Sequence, residues 1–440
     1  MKPQFKNQFE NPLVAFPFLA TLFACLLLAD VSFAQHADWP QWRGPNRDGK
    51  AAEQKLLQQW TGDGPQQLWE FSNAGAGFSA VSVVDGKLFT LGKRDSGCVA
   101  MCIDVNTGKQ IWQRKFAGPG KDDDYNHGWG GGPRSTPTVD GDQVFVLSDL
   151  GILAALSKDS GDIQWSIDLV KDHGGSVPRW GCSESPLVHG DRVMITPGGE
   201  NFMIGVDRQS GKKTWTSDGV NAGAQYVSIM RGEVGDHSFY VTASKEGLVA
   251  FDTKTGKKLF DDDATANHMA VIPTPILSGD SLFHSSAYGA GNTLLKLSQQ
   301  GNGIQAKSVY ALQGKTMENH HGGFVLVDGV IYGFTKANGG NWIAQELSTG
   351  KTLWEEKIRP NRSGAISYAD GRLYCYNDSD GTVILLEPSR RGFQSKGTLT
   401  LPKQTKIPRG KGKIWAHPVI ADQKLIIRDQ DLIYAFDIAR

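Results

Sequence analysis

The residues that could do chemistry recur along the chain in short Gly-rich or aromatic stretches, such as 126–132 and 319–323. Arginine can hold an anionic ligand through paired hydrogen bonds, and tryptophan can stack on a flat one. Glutamate and histidine add groups that exchange protons. The candidates for a cofactor or ligand site are Arg134, Trp180, Glu184, Tyr226, His320, Arg362, Trp415 and His417.

The histidines raise a separate alternative, a zinc or other transition-metal site. His320 and His321 are adjacent in the sequence. In an extended strand their side chains point to opposite faces, so they cannot easily chelate one ion together. The residue types therefore favour a site for a cofactor or an anionic ligand over a metal centre.

These side chains can act together only if the fold brings them close in space. An internal repeat in the sequence predicts a fold that does so. Each unit begins with a short apolar strand, a tight turn and a second alternating strand, as in 135–147 and 185–195. Asp-Gly suits such a turn because both central residues need positive φ. Equivalent turns lie 42 to 55 residues apart, at Asp85-Gly86, Asp140-Gly141, Gly190-Asp191, Gly235-Asp236, Gly279-Asp280, Asp328-Gly329, Asp370-Gly371 and Ala421-Asp422.

A second signature, Thr/Ser-Gly-x-x-x-Trp, follows the third strand of the clearest units. Its copies are 107–112, 160–165, 210–215 and 349–354, with 255–260 as a variant that ends in Phe. The Gly makes the turn into a fourth strand. A single four-stranded sheet cannot bury both of its faces, so the units are expected to stack radially as the blades of an all-β propeller, with the Trp between neighbours.

The number of blades depends on how the ring closes. The last unit stops at Arg440 without an outer strand, whereas residues 67–71 form an outer-strand pattern with no blade before it. The N-terminal strand is therefore predicted to complete the C-terminal blade and give eight blades. Seven is the alternative, because the fifth and seventh units have degenerate outer strands.

In a propeller, the residues that enter each innermost strand converge on the central channel. This predicts that the candidates named above surround one end of that channel. A structural alternative stands beside the functional one: propeller channels are filled with solvent, so polar residues there need no catalytic purpose.

The N-terminus and the charge balance indicate where the protein works. A basic start, an apolar stretch and Ser32-Phe33-Ala34 predict a signal peptide cleaved after Ala34, and lipidation at Cys25 or a retained anchor are alternatives. We expect a signal peptide over 1–34, an extension packed on the propeller over 35–66 and the propeller over 67–440. The chain has 46 Lys+Arg against 46 Asp+Glu, which argues against nucleic acid as a partner.

Residues 102–112, Cys-Ile-Asp-Val-Asn-Thr-Gly-Lys-Gln-Ile-Trp, resemble the tryptophan-docking motif of the pyrroloquinoline-quinone (PQQ) repeat superfamily. The opening 38–49, Asp-Trp-Pro-Gln-Trp-Arg-Gly-Pro-Asn-Arg-Asp-Gly, is similar to the start of secreted PQQ-like repeat proteins. The resemblance covers nearly all of the chain after residue 67. It implies either a quinoprotein alcohol dehydrogenase or a non-catalytic scaffold similar to the outer-membrane assembly factor BamB.

For the dehydrogenase, the resemblance implies PQQ and calcium at the channel mouth. Glu184 and Asn319 would bind calcium, Arg134 or Arg362 would hold the PQQ carboxylates, and Trp180 or Trp415 would stack on the rings. The sequence departs from that pattern, since it has no adjacent Cys-Cys pair, no Cys-x-x-Cys-His and no Asp at the channel-entry positions.

The sequence therefore favours an exported binding or assembly scaffold with a polar channel site. Its partner would be a periplasmic or outer-membrane protein, or a small ligand in the channel. The alternative is a divergent PQQ-dependent alcohol dehydrogenase of the polyvinyl-alcohol-dehydrogenase kind.

Overall fold

The structure is a computed structural model, and it describes residues 37–121, 123–301, 303–314 and 316–440. The predicted signal peptide lies outside the described residues. Within the described part of the chain, no helix is long and apolar enough to cross a membrane.

The described residues form eight four-stranded antiparallel sheets, the blades of a propeller. In each blade, strand A is innermost and strand D outermost. Strands A to D of blade 1 are Ser82–Val84, Lys87–Arg94, Gly97–Asp104 and Gln110–Lys115, and those of blade 2 are Thr138–Asp140, Gln143–Leu147, Ile152–Ser157 and Ile163–Asp168. Strands A to D of blade 3 are Leu187–His189, Arg192–Ile195, Ile204–Asp207 and Lys213–Thr216, and those of blade 4 are Met230–Val234, His237–Ser244, Gly247–Asp252 and Lys258–Asp262.

The second half of the ring repeats the same plan. Strands A to D of blade 5 are Ile276–Ser278, Ser281–Ser286, Gly291–Gln300 and Gly303–Leu312, and those of blade 6 are Phe324–Val327, Val330–Thr335, Asn341–Glu346 and Thr352–Glu356. Strands A to D of blade 7 are Gly364–Ala369, Arg372–Asn377, Thr382–Glu387 and Gln394–Thr400, and those of blade 8 are Val419–Ala421, Lys424–Asp429, Leu432–Asp437 and Gln67–Phe71. A two-stranded ladder (Gly198–Gly199 with Ala222–Gly223) and two short 3-10 turns (His127–Trp129 and Ala337–Gly339) lie in the connections.

The ring closes as the sequence predicts, because the N-terminal strand Gln67–Phe71 is strand D of blade 8. It pairs antiparallel with Leu432–Asp437, with Trp69 opposite Ala435 and Phe71 opposite Ile433. The eight-bladed ring is thereby confirmed over the seven-bladed alternative. The outer strands of blades 5 and 7, degenerate in sequence, are both present.

The tight A–B turns are of two kinds, where the sequence analysis expected one. At Asp85-Gly86 both central residues have positive φ, as predicted. In blade 2 the turn is shifted by one residue, to 141–142, and only Gly141 has positive φ. A Gly with positive φ at the first central position fits a type II′ turn, whereas positive φ at both positions fits a type I′ turn. Asp-Gly and Gly-Asp therefore both form two-residue A–B turns, of different types. In blade 8 the turn is likewise displaced, to Asp422-Gln423.

The Thr-Gly-x-x-x-Trp signature acts both within a blade and between blades. In blade 1, Asp104 accepts hydrogen bonds from the backbone and the hydroxyl of Thr107, which fixes the C–D turn. The indole of Trp112 then packs on the next blade, where its Nε1 donates to the carbonyl of Lys158 at 3.0 Å. A β-carbon at Gly161 would lie 2.6 Å from that indole, so only glycine leaves room for the ring.

The segment Trp39–Ala51, called the plug here, runs inside the ring of inner strands. Trp39 exchanges two backbone hydrogen bonds with Val83 of blade 1, at 2.8 and 2.9 Å. At the other end of the plug, Ala51 donates to the carbonyl of Tyr368 in blade 7 at 2.9 Å. The chain therefore lines part of the channel with its own backbone.

Two buried arginines tie the plug to blades on different sides of the channel. Arg43 donates to the carbonyl of Phe324 in blade 6. Arg47 donates to the carbonyls of Ile229 at 2.8 Å and Ser185 at 3.1 Å, at the entries to blades 4 and 3. The plug therefore occupies part of the channel, which the sequence analysis expected to hold solvent.

Candidate functional site

Chain direction divides the propeller into two faces. In an antiparallel meander, the D-to-A connections and the B–C turns lie at one end of the strands, and the A–B and C–D turns lie at the other. We call the first end the upper face. Every candidate residue from the sequence analysis lies in a connection that enters an inner strand, and therefore on the upper face.

Arg134 is a half-buried cation at the entry to blade 2. Its guanidinium donates to the carbonyls of Gly132 at 3.1 Å and Gly130 at 2.7 Å. It lies over the rings of Phe78 and Tyr125, with centroid distances of 5.1 and 5.8 Å. Among the described residues it forms no ion pair. Neutral groups hold the guanidinium in place, and its charge is available to bind an anion.

A row of rings crosses the upper face beside Arg134. Trp415 lies 4.3 Å from His321 in a stacked arrangement, and His321 lies 3.9 Å from His320. The row continues to Tyr288, whose hydroxyl shares a 2.6 Å hydrogen bond with Nε2 of His320. Lys336 ends the row, 4.4 Å from the centre of the Tyr288 ring. Two of the sequence candidates, Trp415 and His320, are thus brought together.

Burial keeps the histidines of the row neutral. It lowers the pKa of His321 to about 3, with Lys336 and Arg134 adding to the effect. The pKa of His320 is also lowered well below its usual value, first by burial and then by His321 and Lys336. These rings are therefore aromatic and hydrogen-bonding surfaces at neutral pH rather than cations.

Trp180 and Tyr226 form a second aromatic pair, between blades 3 and 4. Their ring centroids lie 6.0 Å apart, and Arg179 covers the indole at 5.0 Å. Burial raises the pKa of Tyr226 to about 12, so the phenol is neutral. Beside the pair opens a cleft of about 190 Å³, which we call the blade 3–4 cleft. Its lining includes Pro178, Arg179, Ala224, Tyr226, Lys245, His268 and Met269.

Glu184 and Asn319, the residues that the resemblance implies for calcium, are engaged separately. Both carboxylate oxygens of Glu184 accept hydrogen bonds from Thr196, at 2.9 and 3.3 Å. Burial raises the pKa of Glu184 to about 8, although Thr196 and Arg47 counteract the rise. The amide nitrogen of Asn319 donates to two backbone carbonyls of blade 6, while its Oδ1 is buried without a hydrogen-bond partner among the described residues. No group of three His, Cys, Asp or Glu among the described residues could hold a metal ion.

His417 and Arg362 lie at opposite extremes of exposure. His417 is buried against Trp42 of the plug, with ring centroids 4.4 Å apart. Arg362 is exposed at the entry to blade 7, where its backbone N–H donates to Asp378.

The residues present do not fit a PQQ–calcium centre. Glu184 lies at the entry to blade 3 and Asn319 at the entry to blade 6, and no hydrogen bond between described residues joins them. The plug lies in the channel with Arg47 at one side and Arg43 at the other. A flat cofactor with its metal would need these groups around one open space.

Sequence reasoning missed several residues of the upper face. Tyr288 and Lys336 lie in or beside B–C turns, so a search restricted to inner-strand entries could not find them. The rule that B–C turns share this face would have pointed to both. Trp42 and Arg43 of the plug were also missed, and their motif carries no periodic signal.

These features define the class: an eight-bladed PQQ-like propeller with a plugged channel and an aromatic, cationic upper face. The chain belongs to the family described as outer membrane protein assembly factor BamB, whose sequence profile matches residues 61–216 and 176–395. BamB of Yersinia pestis is 24% identical over 311 residues, 67% of this chain and 70% of that protein.

Solved structures agree on the fold. BamB from Moraxella catarrhalis superposes with a TM-score of 0.60 at 13% identity, covering 85% of this chain and 99% of the other. Quinohemoprotein alcohol dehydrogenase from Comamonas testosteroni gives a TM-score of 0.63 at 13% identity, covering 92% of this chain and 81% of the other. At such identities the likeness concerns architecture alone.

Proposed function

We propose that the protein is an exported, non-catalytic scaffold that binds a protein partner through its upper face. Its membership of the BamB family supports an outer-membrane assembly role, in which the partner is the barrel-assembly protein of the same organism. The observation that carries the proposal is the blade 3–4 cleft, which combines exposed apolar surface with unpaired cations.

The charges at the cleft are complementary to an acidic partner. Arg179 and Lys245 line it, and neither forms an ion pair with any described residue. Met269 is 44% exposed at the same place, although such side chains are usually buried in monomers. Methionine and arginine are enriched where proteins contact one another.

The size of the cleft favours a protein anchor over a free small molecule. Its volume of about 190 Å³ is below the range of about 300–1,000 Å³ that is usual for ligand and cofactor pockets. A cleft of this size suits one or two side chains of a larger partner. We therefore expect an apolar side chain against Met269 and carboxylates opposite Arg179 and Lys245.

The test is a binding measurement with the purified periplasmic part of that barrel-assembly protein. Arg179→Glu and Lys245→Glu, each placing a like charge opposite the partner, should weaken binding by tenfold or more, and Met269→Ala should weaken it too. Lys109→Glu, in a C–D turn on the other face, is the matched control. Equal losses from the control, or no binding by the unaltered protein, would contradict the proposal.

The dehydrogenase alternative is tested on the same protein by adding PQQ and calcium. A scaffold should show no quinone absorbance and no dye-linked alcohol oxidation. Stoichiometric PQQ binding that is abolished by Arg134→Ala or Glu184→Ala would overturn the scaffold. Export is tested separately, since N-terminal sequencing of the secreted protein should begin at Gln35.

A further inference from the structure

The connection Leu401–Pro418, between blades 7 and 8, is the most basic stretch of the upper face, and we call it the basic loop. It contains five lysines and arginines and no aspartate or glutamate. Near its end lie Trp415, which belongs to the row of rings, and His417, which packs on Trp42 of the plug. It is the part of the upper face that the proposed protein docking at the blade 3–4 cleft leaves unused.

Three of the five cations have acidic neighbours. Lys403 pairs with Glu70 at 2.7 Å and Arg409 with Asp429 at 2.5 Å. Lys413 lies close enough to Asp378 to stabilise its carboxylate. The remaining two, Lys406 and Lys411, are exposed and form no ion pair with any described residue. The loop therefore keeps free positive charge at two points along its length.

The loop is packed against an exposed tryptophan. The backbone N–H of Lys411 donates to the carbonyl of Gly128 at 2.9 Å. A β-carbon at Gly412 would lie 2.3 Å from the carbonyl oxygen of Trp129, so the two segments are in close contact. The indole of Trp129 is stacked with Trp415 at 6.5 Å, yet the residue is 39% exposed. It is a large ring that is supported on one side and open to solvent.

We propose that the basic loop and Trp129 bind an acidic glycan, a polysaccharide strand that carries carboxylate or sulfate groups. Lys406 and Lys411 would pair with the anionic groups, as lysine does with phosphate and carboxylate. The apolar C–H face of one sugar ring would pack on the indole of Trp129. Arg134 donates to the carbonyl of Gly130, next to Trp129, and adds a third cation beside the ring.

The surroundings of the basic loop argue against an acidic protein or a nucleic acid as its ligand. Protein docking relies on desolvated apolar pockets, and the exposed residues of the loop are lysine, glutamine, glycine and proline. Single-stranded nucleic acid is usually held by several exposed rings on which successive bases stack. Here Trp129 is the ring that the loop leaves open, because Trp415 and His321 are stacked on each other.

The experiment measures binding of polygalacturonate and dextran sulfate to the full exported chain by titration calorimetry at low and physiological salt. The unaltered protein should bind both, more weakly as salt rises, and should not bind uncharged dextran. The double variant Lys406→Ala/Lys411→Ala and the single variant Trp129→Ala should each lose about tenfold in affinity. Trp129→Phe, which keeps a ring, should lose less than Trp129→Ala.

The matched control is Lys109→Ala/Lys212→Ala, which removes the same charge from exposed lysines on the other face. An equal loss in this control would mean diffuse charge attraction and would overturn the site. Tighter binding of oligo-dT or of poly-glutamate, with Trp129→Ala unchanged, would assign the surface to nucleic acid or to acidic peptide instead. Absence of binding to either acidic glycan would also overturn it. None of these outcomes depends on the blade 3–4 cleft.

Discussion

The indole of Trp69 lies so close to Gly108 that a β-carbon added there would come within 2.7 Å of the ring. Its Nε1 also donates to the carbonyl of Val105 at 2.8 Å. Trp69 belongs to blade 8 and Gly108 to blade 1, so this contact joins the N-terminal strand to the blade that follows it around the ring. The same relationship recurs between Trp112 and Gly161.

Removing this contact should weaken the closure of the ring. Trp69→Ala is expected to lower the free energy of unfolding by about 3–5 kcal/mol, because it deletes a buried indole and its hydrogen bond. Leu68→Ala is the control, since Leu68 is 42% exposed on the same strand. The free energy of unfolding of both variants is measured by chemical unfolding, followed by a circular dichroism signal that does not depend on tryptophan. Similar losses from the two variants would mean that the indole contact is not what closes the ring.

The fold was predictable because its determinants are local and repeated. Asp104 fixes a turn within four residues, and Gly108 leaves room for one ring, so both leave a fixed spacing in the sequence. The outer strands of blades 5 and 7 are harder to predict. Tyr310 takes the place of the signature Trp in blade 5, and blade 7 has no aromatic residue at that position. Tyr310 still donates to the carbonyl of Leu347 in blade 6 at 2.9 Å, so the interblade contact survives the change of residue.

The sequence carries no such repeated spacing for the plug, because the contacts of the plug are made by single side chains that donate hydrogen bonds to distant backbone carbonyls. Arg47→Met should be strongly destabilising, by about 3–5 kcal/mol, since it leaves the buried carbonyls of Ile229 and Ser185 without their donor. Trypsin should then cut within Trp39–Ala51 faster than in the unaltered protein. Arg391→Met, at an exposed arginine, is the control and should change neither measurement.

The candidate site was predictable only in part. The rule that inner-strand entries converge correctly places Arg134, His320 and Trp415 at the upper end of the channel. It carries no information on where a side chain points once it arrives there. Glu184 turns to Thr196 instead of the channel mouth, because a buried carboxylate needs hydrogen-bond donors and Thr196 supplies two.

Glu184 should make stability fall as pH rises. Burial raises its folded pKa from the ordinary value of 4.5 to about 8, so the folded protein binds the proton more tightly than the unfolded chain. Between those values the free energy of unfolding should decrease by up to about 1.4 kcal/mol per pH unit, and it should level off above pH 8. Glu184→Gln should remove that slope.

The measurement is urea unfolding of both proteins at several pH values from 5 to 9. The difference between the two curves isolates Glu184, because the buried histidines contribute equally to both. Their lowered pKa values act in the opposite direction, reducing stability as pH falls below about 6.5. A difference that stays flat across this range would show that the carboxyl group is ionised in the folded protein.

Trp415 should control the protonation of His321. Burial is the largest cause of the lowered pKa of His321, about 3, and the stacked indole at 4.3 Å covers that ring. Trp415→Ala should admit water and raise the pKa by at least about one unit towards its usual value, as followed by NMR of the imidazole protons. His284, whose pKa is about 4, is buried in blade 5 and bonded to Thr265, so it serves as the internal control. If both histidines shift together the variant has loosened the whole fold, whereas an unmoved His321 would mean that the propeller, and not Trp415, keeps water from the ring.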